Sequence, residues 1–132
     1  MEYVIGLILA VAVFGFAVVT GFGRDRSFYP TVAIVVGSYY ALFAAMGASS
    51  RTLVVESVVG GIFLVLVVLG FKSSLWFAVA ALIGHGLFDS VHHFFIDNPG
   101  VPRWWPGFCL AFDAGFGVLL ALRLVRQPRL SG

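Results

Sequence analysis

Charged residues are scarce in this chain. Its 132 residues include 8 Lys or Arg and 6 Asp or Glu, which is 11% charged, while 61% are hydrophobic. Soluble globular domains carry about 25% charged residues, so this scarcity excludes an ordinary soluble domain. We therefore expect an all-α integral membrane protein. Because the segments between the apolar runs are short, residues 1–132 should form a single membrane domain.

Cysteine is nearly absent as well. Cys109 is the one cysteine of the chain, which excludes an intrachain disulfide and a cysteine-rich metal site. The first apolar run also lacks the basic residues that open a secretion signal, and it carries Glu2 instead. We expect this run to be retained as the first helix.

Five apolar runs have the length of a membrane span, for which a helix needs about 20 residues. The predicted helices are residues 3–22, 30–47, 53–71, 75–96 and 107–124. Charges and turn-forming residues concentrate between them, as in "GRDRSFYP" and "DNPGVPRWWP". Short connections favour antiparallel sequential neighbours, so the runs predict a compact bundle of five transmembrane helices.

The basic residues predict the orientation of the bundle. Six of the eight fall on one side of a five-span chain, namely Arg24, Arg26, Lys72, Arg123, Arg126 and Arg129. Only Arg51 and Arg103 fall on the other side. The positive-inside rule then places the N-terminus outside and the C-terminus in the cytoplasm of a multi-pass plasma or inner membrane protein. The pI near 9.0 follows from this asymmetry and indicates membrane lipids as partners, with no nucleic acid.

Titratable residues interrupt the fourth run, in "GHGLFDSVHHFFID". At 3.6 residues per turn, His85, Asp89 and His92 share an arc of about 60°, and His93 widens it to about 100°. Glu56 of the third helix and Asp113 of the fifth are predicted at the same depth, in the outer half of the membrane. Charges there cost at least about 2.5–3.5 kcal/mol each unless they are paired or bind a metal. The six side chains should therefore face one another.

Imidazole and carboxylate together are typical ligands of zinc and non-haem iron. The hypothesis favoured by the sequence is therefore a divalent transition metal, zinc or iron, in a membrane metalloenzyme acting on a lipid or another hydrophobic substrate. The ligand types resemble those of membrane hydroxylases, desaturases and ceramidase-like hydrolases, although the paired HxxHH boxes of desaturases are absent. Glu56 and Asp113 are also candidates for catalytic carboxylates. The candidate metal ligands are His85, Asp89, His92, His93, Glu56 and Asp113.

Two other function classes stay open. Intramembrane Asp, Glu and His chains form proton relays in transporters, but the series from His92 to His85 stops near mid-membrane. Toward the cytoplasmic face, only Ser38, Tyr39 and Tyr40 of the second helix are placed to continue the relay by hydrogen bonding. A five-span carrier would also require a homo-oligomer. The third class is an accessory subunit whose polar cluster holds helices together. Haem is disfavoured, because all three histidines lie on one helix.

The loop "NPGVPRWWPGF" joins the helices that carry Asp89 and Asp113. Three prolines stiffen it, and Trp104 and Trp105 are typical of a membrane interface. We expect this loop to cover the outer mouth of the cluster or to shape the access of lipid.

Overall fold

The computed structural model describes residues 1–131, which form five α-helices, two 3-10 helices and no β-strand. All five predicted helices are present, and their ends shift by at most three residues from the predicted ones, as at Ser50. The α-helices are α1 (Glu2–Thr20), α2 (Phe28–Gly47), α3 (Ser50–Lys72), α4 (Trp76–Phe95) and α5 (Trp105–Arg126), and short 3-10 turns cover Phe22–Arg24 and Pro128–Leu130.

Local signals fix several helix ends. Gly21 adopts φ 86°, a left-handed conformation that ends α1 and that glycine reaches without strain. At the start of α3, the Ser49 side chain accepts a hydrogen bond from the Thr52 backbone N–H, which caps the helix one residue before Ser50. Pro106 stands in the first turn of α5, where its missing N–H costs nothing.

The helices pack as a bundle in which α5 forms the most extensive contacts. Helix α5 packs most extensively against α4 and α1, α2 packs against α3, and α3 packs less extensively against α4. At one end of the bundle, the Arg26 guanidinium donates to the carbonyls of Gly70, Phe71 and Leu130. At the other end, the Thr52 hydroxyl donates to the carbonyl of residue 97, just after α4. These contacts establish the antiparallel order of α2, α3 and α4.

Four of the helices are long and apolar enough to cross a membrane: α1, α2, α3 and α5. Helix α4 has 20 residues but is not one of these, since Asp89 and three histidines lower its hydropathy. It is instead the helix that contacts α2, α3 and α5 together. The sequence therefore predicted the number of helices correctly, while the apolar character of a membrane span is shown for four of the five.

Candidate metal centre

Three side chains from α4 and α5 bring their ligating atoms together. Nδ1 of His85 lies 2.7 Å from Oδ2 of Asp113 and 3.3 Å from Oδ2 of Asp89. One ligand atom from each of the three residues lies within 4.8 Å of the other two. His85 and Asp89 share one face of α4 because they are four residues apart. The contact between α4 and α5 supplies Asp113.

The two carboxylates of this group are fully buried, at 0% exposure, and most of their oxygens have no hydrogen-bond partner. Within residues 1–131, neither oxygen of Asp89 forms a hydrogen bond, and neither does Oδ1 of Asp113. A buried carboxylate without partners is strongly unfavourable, whereas a coordinated cation satisfies it. One imidazole and two carboxylates form a donor set that suits a divalent metal ion.

The spacing of the donor atoms is compatible with such an ion. Ligand bonds of about 2.0–2.2 Å in a tetrahedral zinc site separate the ligand atoms by about 3.3–3.5 Å. The His85–Asp89 separation of 3.3 Å already has this value. The His85–Asp113 separation of 2.7 Å would have to widen by several tenths of an ångström.

A second buried group joins α3, α4 and the loop that follows α4. Nε2 of His92 lies 2.6 Å from Oε1 of Glu56, and the Asn98 amide donates to the same oxygen at 3.3 Å. Asn98 also donates to the Tyr40 carbonyl at 3.1 Å. The Tyr40 ring stacks on His92 with 3.9 Å between centroids and 14° between planes. His92 is therefore held by a hydrogen bond on its edge and by stacking on its face.

The structure divides the predicted ligands into these two groups and leaves one residue outside. His85, Asp89 and Asp113 form the first group, and Glu56 and His92 belong to the second. His93 is exposed, and its ring lies against Phe94 with 4.0 Å between centroids. Of the two adjacent histidines, it is thus His92 that faces the interior of the bundle.

No functional role was predicted for Asn98 from the sequence, and Tyr40 was named only as a possible continuation of a relay. Asn98 falls in "NPG", which reads as a turn, and its one available signal is its place in a loop expected to cover the cluster. Tyr40 lies beside His92, at the same end as the cluster, so it does not continue a relay toward the opposite end. Ser38 is exposed and donates to its own helix, and Tyr39 packs on Trp105.

Two cavities adjoin these groups. A cavity of about 180 Å³ lies between α2, α3 and α4, and its walls are apolar except at Tyr40, Glu56 and His85. A second, of about 430 Å³, opens at the end of the bundle, and its walls are partly apolar and partly polar, the polar part including His92, Asn98 and Arg103. Because Glu56 lines the first cavity and His92 the second, the hydrogen bond between them lies between the two spaces.

The glycines that flank His85 have different surroundings. A Cβ atom at Gly86 would lie 3.1 Å from Cβ of Asp113 and 3.3 Å from the backbone N of Ala114. A Cβ atom at Gly84 would meet nothing within 4 Å. Gly86 is therefore the glycine that permits the close approach of α5, and Gly84 leaves open space beside the cavity.

We expect Gly86→Ala to weaken metal binding while Gly84→Ala does not. The added methyl at position 86 pushes α5, and with it Asp113, away from His85. Displacing a ligand in this way should lower the metal affinity about 10- to 100-fold, the effect of disturbing groups that orient ligands. Zinc titration of metal-free variants in detergent measures it, with Gly84→Ala as the matched control. Equal affinities would show that the α4–α5 spacing at Gly86 does not position the ligands.

Comparison of the chain with known protein families, with curated proteins and with solved structures finds no match.

Proposed function

We propose that this is an integral membrane protein that binds one divalent transition metal ion, zinc or iron, through His85, Asp89 and Asp113. The observation that carries the proposal is the pair of fully buried carboxylates, three of whose four oxygens have no hydrogen-bond partner among residues 1–131. Both carboxylates converge on one imidazole nitrogen. A divalent cation supplies the compensating charge at that point.

The proposed setting is a plasma or inner membrane, with α4 as a fifth span that packs against α2, α3 and α5. Large apolar side chains are exposed along α1 and α3, for example Ile8, Ile62 and Val65, as lipid contact requires. The end of the bundle with Arg26 holds most of the basic residues and is assigned to the cytoplasm. The metal group then lies in the outer half of the bilayer.

The finer proposal is a metal-dependent hydrolase or oxidoreductase that acts on a hydrophobic substrate. Three protein ligands leave a position of a four-coordinate ion for water or substrate, as in catalytic zinc sites. A bound metal ion lowers the pKa of its water and polarises an ester, amide or phosphate. Glu56 is held by His92 and Asn98 instead of joining the metal group, so it is the carboxylate left to accept a proton.

Elemental analysis of protein purified in detergent without chelator tests the metal proposal. We expect about one ion per chain in the parent protein and a loss of nearly all of it in Asp89→Asn and Asp113→Asn, because each variant removes an anionic ligand. Asp97→Asn is the matched control, since Asp97 is an exposed carboxylate at the same end of the bundle.

Glu56→Gln separates the metal group from the second group. It should retain the ion, because Glu56 pairs with His92 and lies outside the three-residue group. Loss of metal in Glu56→Gln alone would contradict this ligand assignment. A parent protein without stoichiometric metal would overturn the metal proposal itself.

Proton transfer is the second candidate function, and the His92–Glu56 hydrogen bond favours it. This pair lies between an apolar cavity and one with mixed walls, and intramembrane carboxylate and histidine side chains form proton relays. Metal-free parent protein together with a pH-dependent ion flux in liposomes that Glu56→Gln abolishes would support this candidate. A carrier built on five spans would require a homo-oligomer.

A further inference from the structure

The cavity of about 180 Å³ between α2, α3 and α4 has the features of a site for a small amphipathic molecule. It is slightly larger than an apolar cavity of about 150 Å³ that takes up benzene. Its apolar walls include Ile62, Phe63 and Phe88. A ring, or a chain of about six carbons, therefore fits it by size.

The polar residues of this cavity have atoms without partners. The hydroxyl of Tyr40 is buried beside Asp89 and has no hydrogen bond of good geometry in the part of the chain that the structure describes. In the same part of the chain, the hydrogen bonds to Glu56 reach Oε1 alone and leave Oε2 without a partner. His85 directs Nδ1 toward Asp113, and no described residue forms a hydrogen bond with its Nε2.

These three groups offer both donors and acceptors. A carboxylate oxygen accepts a hydrogen bond, a tyrosine hydroxyl donates or accepts, and the Nε2 of an imidazole donates or accepts according to its tautomer. A hydroxyl group, which donates one hydrogen bond and accepts others, satisfies such a mixed set. An alkane satisfies none of these polar atoms.

Access to the cavity is from the flank of the bundle. Ile62 lines the cavity and is 71% exposed, so the opening is bordered by apolar surface. Gly60 and Gly84 also line it, and a Cβ atom at either position would meet nothing within 4 Å. These glycines keep open the side through which a chain longer than the cavity would extend outward.

We propose that this cavity binds the hydroxyl end of a membrane-soluble alcohol, with the hydroxyl near Tyr40, Glu56 and His85 and the apolar chain directed to the lipid. The alcohol is the ligand class of the cavity. Its binding rests on the proposed function in one respect, namely that the bundle lies in a bilayer. Binding of the alcohol does not require the metal ion.

Photolabelling with hexan-1-ol that carries a diazirine at the chain end tests the proposal. In the full-length protein, we expect mass spectrometry to locate adducts on the α3 and α4 peptides that line the cavity. Gly60→Leu and Gly84→Leu should lower these adducts about tenfold or more, because the new side chain fills the space of several methylene groups. Gly61→Leu is the matched control, since Gly61 is the next residue of α3, has open space around it and does not line the cavity.

Competition identifies the part played by the hydroxyl. Unlabelled hexan-1-ol should suppress the adducts, and hexane at the same concentration should not. Equal competition by the two would overturn the hydroxyl site. Adducts spread over the lipid-facing residues of α1 as well, and unchanged in Gly60→Leu, would overturn the cavity as a binding site.

Metal content measured on the same samples keeps this inference distinct from the proposed function. Cavity adducts on a metal-free parent would retain the inference and reject the metal proposal. Stoichiometric metal together with labelling spread over the whole bundle would retain the metal proposal and reject the alcohol site. Circular dichroism and gel-filtration elution identify any leucine variant that fails to fold, and Gly60→Ala then replaces it with a smaller side chain.

Discussion

Asp89→Asn is expected to be more stable than the parent protein without metal and less stable than the parent when metal is present. Among residues 1–131, neither oxygen of Asp89 has a hydrogen-bond partner, although both are buried close to the carboxyl of Asp113. Replacing a carboxyl that is buried without partners by a neutral amide should raise the free energy of unfolding by about 1–3 kcal/mol, the usual penalty of an unsatisfied buried polar group. With zinc at 1,000 times its Kd, the parent should gain about 4 kcal/mol, and the variant should gain little.

Unfolding by SDS in mixed micelles, with chelator or with zinc, measures both free energies. Asp97→Asn should follow the parent under both conditions, because Asp97 is exposed. A metal-free Asp89→Asn protein less stable than the parent would show that the carboxyl of Asp89 stabilises the metal-free bundle. In a metal-binding site, the variant is the more stable protein without metal and the parent is the more stable one with metal. A purely structural polar cluster would show no such change when metal is added.

The sequence predicted the helices well because their signal is local. Long apolar runs are visible within a few residues of the chain. The starts of α3 and α5 were predicted three and two residues late, because Ser49 caps α3 and Pro106 lies inside the first turn of α5. The stripe on α4 was predicted for the same reason, since helical periodicity puts His85 and Asp89 on one face wherever the helix packs. Asp113 joins that face because α5 follows α4 through a short loop.

What the sequence did not predict depends on contacts between helices. His92 and His93 both fall within the predicted arc, and only the packing of Tyr40 and Glu56 distinguishes them. The same contacts divide the cluster into the group of His85, Asp89 and Asp113 and the hydrogen-bonded pair of Glu56 and His92. Asn98 lies in a loop, where no periodicity indicates the direction of its side chain. The cavity arises from three helices and has no signal in any one of them.

The two buried groups differ in how well their charges are satisfied. In the second group, Oε1 of Glu56 accepts from Asn98 and from His92, which is also stacked on Tyr40. In the first group, one imidazole stands against two carboxylates, and most of their oxygens have no partner. The second group is therefore suited to hold the helices together, and the first to bind a cation.

Replacing either member of the Glu56–His92 pair is expected to destabilise the bundle strongly, whereas replacing both should cost much less than the sum. Glu56→Leu leaves the buried His92 edge without a partner, and His92→Leu leaves a carboxylate held by Asn98 alone. Removing one partner of a buried hydrogen bond leaves the other group unsatisfied, which costs about 1–3 kcal/mol and more for a charged group. In Glu56→Leu/His92→Leu neither partner of this hydrogen bond remains, and the stacking lost with His92 is common to His92→Leu and the double variant.

The two single variants and the double variant form a double-mutant cycle. Its coupling free energy measures how strongly Glu56 and His92 stabilise each other. Hydrogen bonds between membrane helices average about 0.6 kcal/mol, so a coupling of that size would show an ordinary packing contact and contradict the prediction. A coupling of about 2 kcal/mol or more identifies a buried pair in which each side chain is satisfied by the other. His93→Leu is the matched control, and because His93 is exposed its effect should stay within about 0.5 kcal/mol.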